Sequence, residues 1–326
     1  MSRILCSVAT RGRYHTTLPL ALMAIINQTK LPDKLVVFDD NDEPVDLRDH
    51  PFYQHFFRIC IEKRLEWEVV YAPKKGQHHI HQIANSMGFD WVWRVDDDCI
   101  PNPNVLERLS DYISADDIGA VGGSILTTQN GVQLPTDLPA TGLVQNIDSE
   151  QNIQWGYITQ TKPVEHLHCS FLYRAGIHEY HLGLSRVAHR EETLFTYGLH
   201  QKGYAILVVP NANSWHLKSA HGGIRSEDKA EMYQHDEAIF RNIVTMKEKT
   251  IVVLDAGMGD HIVFSHVLPD IKNPEVFSCY PDIVPGRSIA EAHQLFGDLS
   301  QWNVYKKMID WNWNDSLENA YRKMYV

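Results

Sequence analysis

The sequence has few cationic residues and no closely spaced cysteines, and each shortage argues against a class of protein. Thirty Lys and Arg stand against 41 Asp and Glu, a formal net charge of −11 at pH 7. Non-specific nucleic-acid binding needs a basic surface instead. The five cysteines are scattered over 326 residues without a CxxC pair, which gives no sign of a zinc cluster and is typical of a reducing compartment.

Long apolar runs are also missing. None approaches the roughly 20 residues that a membrane-spanning helix needs, and residues 1–13 become polar too early for a signal peptide. What is present is ordinary for a soluble globular protein: 44% hydrophobic residues, 22% charged residues, and length enough for one large domain or two ordinary ones. The sequence therefore predicts a cytoplasmic protein.

An apolar segment that ends in three consecutive acids is the most informative stretch. Trp91 to Val95 are aromatic or β-branched apart from one arginine, and Asp96-Asp97-Asp98 follow at once. The apolar part predicts a buried strand. Adjacent carboxylates repel one another unless a cation or hydrogen-bond donors lie among them, and Mg²⁺ and Mn²⁺ prefer such oxygen ligands. The stretch predicts a metal–diphosphate site; a solvated acidic turn is the alternative.

The first part of the chain alternates strand and helix patterns. Residues 4–9 predict a strand, 18–28 a helix, and 34–38 a second strand that ends in Asp39-Asp40. This order is typical of a parallel sheet with right-handed crossovers. Ligands of such sheets bind beyond the carboxyl ends of the strands. We therefore expect the two acidic strand ends to lie together.

Three further features follow later in the chain. Residues 129–162 are polar and rich in Gly, Pro, Thr and Asn, which is typical of a functional loop or, equally, of a variable surface loop. Glu191 and Glu192 open a predicted helix, where they either stabilise its dipole or provide a general base. His216 follows a predicted strand and suits Mn²⁺ as a ligand, although a histidine there is more often a surface residue.

A short charged segment at 247–249 predicts the boundary between residues 1–247 and residues 248–326. The second part begins with a strand at 250–254, and Gly257-Met258-Gly259 follows. Gly-x-Gly can bring N–H groups to a phosphate, but the full fingerprint is absent. We predict a small C-terminal α/β or helical subdomain of unknown role, through which the chain could form a homo-oligomer.

The order of these features resembles the nucleotide-sugar glycosyltransferases of the GT-A fold, in particular family 2. The resemblance covers about residues 3–245. Four segments carry it, in the order of the family: Ser7 to Arg13, Val36 to Asp40, Gly76 and Asn85 with Trp91 to Asp98, and Glu191-Glu192 with Gly203-Tyr204. The implied fold is α/β, a Rossmann-like and mostly parallel sheet with helices on both faces, followed by the small subdomain.

The resemblance implies transfer of a sugar from a nucleoside-diphosphate sugar, with a UDP-sugar as the first candidate, to an acceptor hydroxyl. Asp96, Asp98 and His216 would bind Mn²⁺ or Mg²⁺. Glu192, in place of the commoner Asp, would be the catalytic base, and Glu191 is the second catalytic candidate. Single displacement would invert the sugar's configuration, although related metal-dependent enzymes retain it. Donor contacts are expected from Thr10, Arg11, Arg13, Asp39, Asp40, Gly76, Asn85, Asp96 and Asp97.

The acceptor expected from the resemblance is a glycan, a lipid-linked molecule or a small molecule; the acidic charge disfavours a nucleic acid. Two other functions use the same residue types: a metal-dependent nucleotidyl or phosphoryl transferase, and a non-catalytic module that binds nucleotide sugars. Residues 251–260 separately resemble the first strand and loop of GT-B heptosyltransferase-type proteins, a fragment too short to imply their activity.

Overall fold

The computed structural model describes residues 2–72, 75–127, 141–147, 152–218, 222–223, 230–245, 250–254 and 274–278. The chain divides into two compact units, Met1–Val244 and Thr245–Val326. The domain limits that the sequence suggests, 1–247 and 248–326, remain a prediction.

Strands and helices alternate through the first unit. The strands are β1 (Ile4–Thr10), β2 (Lys34–Asp39), β3 (Glu66–Tyr71), β4 (Trp91–Asp96), β5 (Cys99–Pro101), β6 (Ile118–Gly122), β7 (Ile125–Thr127), β8 (Lys162–Val164), β9 (Phe171–Arg174), β10 (Ala205–Val208) and β11 (Ser214–His216). The helices are α1 (Leu18–Ile26), α2 (Pro51–Glu62), α3 (Gln77–Asn85), α4 (Val105–Ser110), α5 (Glu191–Gln201) and α6 (Ala230–Thr245).

The central sheet has eight strands in the order β3-β2-β1-β4-β9-β6-β10-β8. Strands β3, β2, β1 and β4 run parallel, and β10 runs parallel to β6. Strand β9 lies antiparallel between β4 and β6, and β8 is antiparallel to β10. A smaller sheet, β5-β11-β7, accompanies it. The predicted α/β class with a large, mostly parallel sheet is confirmed.

Helices cover both faces of the sheet, as predicted. Along β1, Cys6 and Val8 belong to one hydrophobic core together with residues of α1, α2 and α4. Leu5 points to the opposite core, which includes residues of α3 and α5. This alternation within a strand that is buried on both sides is expected for the parallel part of an α/β sheet.

Residues 119–127 and 166–174 each have a sequence pattern that predicts a single strand, and both are interrupted in the structure. Residues 119–127 form β6 and β7 rather than one strand, and a Cβ built on Gly123 between them would lie 1.6 Å from the carbonyl oxygen of Ala212. The backbones approach each other so closely there that only glycine fits. Residues 166–174 contain only the short strand β9, since Cys169 has φ 56°, a left-handed conformation that an extended strand does not contain.

In the second unit, the described residues form two parallel strands, β12 (Thr250–Leu254) and β13 (Pro274–Ser278). Strand β12 is the strand predicted at that position. The Gly-x-Gly turn at 257–259 lies outside the described residues, and with it most of the fragment that resembles heptosyltransferase-type proteins. Within the described part of the chain, no helix has the length and apolar character needed to cross a membrane.

Candidate functional site

The carboxyl ends of β1, β2 and β4 bring the predicted acidic residues to one edge of the sheet. Strand β1 lies between the other two, with Thr10 opposite Asp39 and Ala9 opposite Asp96. Thr10 Oγ1 also donates a hydrogen bond of 2.8 Å to Asp97 Oδ2. The edge therefore combines carboxylates from two strand ends with the loop that leaves the first.

Arg13 neutralises the middle of the acidic turn. Its Nη1 lies 2.5 Å from Asp97 Oδ1, and its Nη2 lies 3.1 Å from Asp98 Oδ2. Burial raises the pKa of Asp97 to about 6, and the contact with Arg13 opposes that rise. Since Thr10 and Arg13 engage both carboxylate oxygens of Asp97, this residue fixes the turn from within.

At the end of β2, Asp39 is completely buried and accepts hydrogen bonds from its neighbours. The donors are the Tyr14 hydroxyl and the side-chain amide of Asn41, the latter at 2.7 Å from Asp39 Oδ1. A cavity of about 390 Å³ opens beside this strand end, lined by Arg11, Asn41 and neighbouring residues. Asp39 thus lies beneath the cavity wall and holds Asn41 in place.

Asp40 connects the end of β2 to the start of α3. Its Oδ1 accepts hydrogen bonds from the N–H groups of Lys75 at 3.0 Å and Gly76 at 3.3 Å. Burial raises the pKa of Asp40. Gly76 has φ 90°, and a Cβ there would lie 2.8 Å from the carbonyl oxygen of Arg186. A side chain at this position would be both strained and obstructed. Arg11 Nη1 donates to the Asp40 carbonyl oxygen at 2.6 Å.

One group of side chains has the composition of a metal site. A carboxylate oxygen of Asp96, the Cys169 Sγ and a ring nitrogen of His216 all lie within 4.8 Å of one another. His216 Nε2 lies 3.3 Å from Asp98 Oδ1, and His216 Nδ1 lies 3.6 Å from Cys169 Sγ. Asp98, predicted as a ligand, therefore contacts the imidazole and Arg13. Burial raises the pKa of the Cys169 thiol.

The two adjacent glutamates occupy different environments. Glu191 is 2% exposed, and its Oε1 lies 2.6 Å from Arg94 Nη1. Arg94 is fully buried and also reaches Asp96 at 3.0 Å. Burial raises the pKa of Glu191, which Arg94 opposes. Glu191 and Glu192 both line a small acidic cavity, but only Glu192 also lines a larger one, with its Oε1 3.6 Å from His168 Nδ1.

Two cavities meet at Glu192 and His216, which line both. One, of about 80 Å³, is acidic and includes Asp96, Asp97 and Asp98. The other, of about 460 Å³, is walled by aromatic and imidazole rings and a few polar groups; it is lined by Ile147, Asn152, Trp155, His168, Cys169, His189, Arg190, Glu192, Thr193, His216, Lys218 and Tyr233. The small acidic cavity therefore opens towards the larger cavity at the carboxylate of Glu192.

The remaining predicted residue, Asn85, lies at the other end of α3 from Gly76. Its amide donates to the carbonyl of His178 at 2.8 Å and accepts from the N–H of Gly176 at 2.9 Å. These bonds fasten the loop after β9 to α3, and the predicted donor contact of Asn85 stays a prediction.

Sequence reasoning did not identify four residues of the site. Gln77 donates to Asp96 at 3.1 Å, Cys169 lies in the possible metal group, and His168 and Trp155 line the larger cavity. His168 and Cys169 belong to a segment that was interpreted only as a strand. A cluster of imidazole and thiol groups in such a segment was the available signal.

Comparison with known proteins decides the family. Residues 8–180 match the family model described as glycosyl transferase family 2. The chain belongs to this family. No curated protein matches the sequence at a significant level. The family 2 match runs from the end of β1 to beyond β9 and includes the acidic turn.

Two solved structures are similar to this chain in fold. TarS 1–349 from S. aureus in complex with UDP-GlcNAc has a TM-score of 0.51 and 16% identity, over 74% of this chain and 66% of that chain. GalNAc-T7 with UDP, GalNAc and Mn²⁺ has a TM-score of 0.53 and 14% identity, over 73% and 48%. This family 2 chain therefore spans 66% of the TarS chain and 48% of the GalNAc-T7 chain. The similarity shows the GT-A fold, as predicted.

Proposed function

We propose that this chain transfers a sugar from a nucleoside-diphosphate sugar to an acceptor hydroxyl, with Glu192 as the general base. The observation that supports this most directly is the position of Glu192 between the acidic cavity and the larger cavity. A general base must reach the proton of the attacking hydroxyl. In sugar transfer that hydroxyl attacks the anomeric carbon, to which the leaving diphosphate is bonded. Glu192 stands where the two spaces join.

The donor would lie along the carboxyl edge of β1, β2 and β4, as ligands of such sheets do. The nucleoside would occupy the cavity beside Arg11 and Asn41, with Asp39 and Asp40 supporting its walls. The diphosphate would then enter the acidic cavity. UDP-sugars are the first donors to test, because the TarS structure contains UDP-GlcNAc and the GalNAc-T7 structure contains UDP.

The residues beside the acidic cavity fit a divalent cation. Asp96, Cys169 and His216 have potential ligand atoms within 4.8 Å of one another, and His216 contacts the Asp98 carboxylate in the manner of histidines that bind metals. Asp96 and His216 would hold the cation, with Asp98 either as a further ligand or as the group that orients the imidazole. Mn²⁺ or Mg²⁺ there would neutralise charge on the leaving diphosphate.

Glu192 would accept the hydroxyl proton as the acceptor oxygen attacks the anomeric carbon, and the bond from that carbon to the diphosphate would break in the same step. Such a single displacement inverts the configuration. His168 would orient the Glu192 carboxylate, while the Arg94–Glu191 ion pair fixes the first turn of α5. Trp155 offers an aromatic surface to an acceptor, which we expect to be a glycan, a lipid-linked molecule or a small molecule.

Mass spectrometry of reactions with a panel of nucleotide sugars tests this proposal. Because general-base catalysis contributes about 10²–10⁴-fold, Glu192→Gln should lower transfer and donor hydrolysis by that factor while donor binding, measured by calorimetry, is retained. Glu62→Gln at the exposed end of α2 is the matched control and should keep full activity.

Three results would contradict the proposal in different ways. Full activity of Glu192→Gln would remove the assigned base. Transfer of a nucleotidyl group would assign the chain to that class of enzyme, and tight donor binding without turnover would identify a binding module.

A further inference from the structure

Cys169 introduces a sulfur atom into the group to which we assign the cation. Its Sγ lies within 4.8 Å of the nearest ligand atoms of Asp96 and His216. Sites for Mg²⁺ and Mn²⁺ are typically built from oxygen ligands, whereas a thiolate combined with imidazole is typical of zinc and of other cations later in the first transition row. The identity of the preferred cation therefore depends on whether this sulfur binds it.

The backbone at Cys169 directs the thiol into the site. The residue is 4% exposed and has φ 56°, a conformation that is uncommon for residues other than glycine, asparagine and aspartate. Such a conformation persists only where surrounding structure requires it. The chain breaks its extended path at this residue, and β9 begins only two residues later, at Phe171.

His216 is oriented as a ligand whose Nδ1 faces the sulfur. Its Nε2 lies 3.3 Å from Asp98 Oδ1, and its Nδ1 lies 3.6 Å from Cys169 Sγ. A carboxylate that accepts the N–H of one ring nitrogen leaves the other nitrogen as the acceptor. With the proton on Nε2, the Nδ1 lone pair and the Cys169 Sγ are two potential ligand atoms 3.6 Å apart.

We propose that Asp96, Cys169 and His216 bind one divalent cation through oxygen, sulfur and nitrogen, and that the site therefore prefers Zn²⁺ or Co²⁺ to Mg²⁺. On binding, the thiol releases its proton to solvent as the metal–sulfur bond forms. This inference rests on the proposed function only in that the same cation would neutralise the donor diphosphate.

Titration of the metal-free full-length chain with Co²⁺ alone tests the inference. We expect a near-ultraviolet thiolate-to-cobalt absorption that saturates at a single equivalent and that excess Mg²⁺ does not remove. Cys169→Ser, which is nearly isosteric, should lose the absorption and bind Co²⁺ at least about tenfold more weakly. Cys60→Ser, a change of another buried cysteine, on α2, is the matched control and should retain both.

A second variant separates ligand chemistry from folding. Cys169→Asp supplies an oxygen ligand, and aspartate tolerates the left-handed backbone. It should lose the sulfur absorption and shift the preference towards Mn²⁺ and Mg²⁺, with a circular dichroism spectrum like that of the unchanged chain.

Absence of Co²⁺ binding, binding without the absorption, or absorption that survives in Cys169→Ser would overturn the inference. These results are distinguishable from failure of the proposed function. Sugar transfer is judged by the Glu192→Gln comparison and could persist in a chain with no sulfur–metal absorption, while a chain with that absorption and no transfer would contradict the proposed function alone.

Discussion

At the scale of single residues, burial separates two glutamates that look equivalent in the sequence. Glu191 pairs with Arg94 at 2.6 Å and lines only the acidic cavity, whereas Glu192 lines both cavities. A general base must reach the proton of the acceptor hydroxyl, and we place the acceptor in the larger cavity. The geometry therefore supports Glu192 in the catalytic role and gives Glu191 a role in positioning the first turn of α5.

Glu191→Gln should destabilise the chain, because it leaves a buried guanidinium with less opposite charge. Breaking a buried ion pair from one side costs about 3–5 kcal/mol. Because Arg94 keeps its contact with Asp96, we expect the free energy of unfolding to fall by about 3 kcal/mol. Urea unfolding followed by circular dichroism measures it. Glu192→Gln is the matched control and should change the free energy of unfolding by less than about 1 kcal/mol. Equal losses would contradict the division of roles.

The acidic residues could be predicted from the sequence because an apolar run that ends in carboxylates is recognisable within a short stretch of the chain. Cys169 could not, since its contribution depends on a left-handed φ of 56° and on His216, which lies 47 residues further along the chain. Neither property has a signal in the immediate sequence. The hydrogen bonds of Asn85 to the loop after β9 could not be predicted either, because they join residues about 90 positions apart in the sequence.

At the scale of elements, helix α3 packs two imidazoles into the core beneath the site. His78 and His81 are both completely buried on its inner face. Burial lowers the pKa of His78 to about 4 and lowers that of His81 well below its usual value. The helix that presents Gly76 and Gln77 to the acidic edge is therefore docked through neutral histidines.

Acid should weaken this docking. Between about pH 6.5 and 4 the unfolded chain binds a proton at His78 that the folded chain does not bind, so stability falls as pH falls. At pH 5 the loss from His78 alone is about 2 kcal/mol. The difference between urea-unfolding free energies at pH 7.5 and pH 5 should shrink by that amount in His78→Gln. In His55→Gln, a change at an exposed histidine of α2, the difference should be unchanged. An equal shift in both variants would contradict the explanation.

The elements that the sequence predicted are those with an uninterrupted local pattern. Strands β1, β2 and β4 are mostly apolar along their length, and α1 repeats apolar residues at helical spacing. Helix α2 was missed although its buried residues Tyr53, Phe56, Phe57 and Cys60 have that spacing, because charged and polar residues divide them. The antiparallel insertion of β9 beside β4 joins segments far apart in sequence, and no local pattern specifies such a pairing.

At the scale of the whole molecule, the candidate site belongs to the first unit. The residues that we assign to it lie between Thr10 and His216, within the unit Met1–Val244. Helix α6 belongs with them, since Phe240 is 1% exposed and packs with Leu184 and Leu194. Among the described residues, those that line the two cavities at Glu192 all belong to this unit.

A fragment of residues 1–247, which keeps all of α6, should therefore fold and bind the donor without the second unit. We expect calorimetry to give a dissociation constant for the donor nucleotide within about threefold of that of the full chain, a difference below about 1 kcal/mol. A fragment that folds but does not bind the donor would mean that the second unit completes the site.

Light scattering of the fragment and of the full chain tests a second expectation, that residues 248–326 mediate self-association. The fragment should be monomeric if the full chain is oligomeric. A fragment that self-associates as the full chain does would place the contact on the first unit.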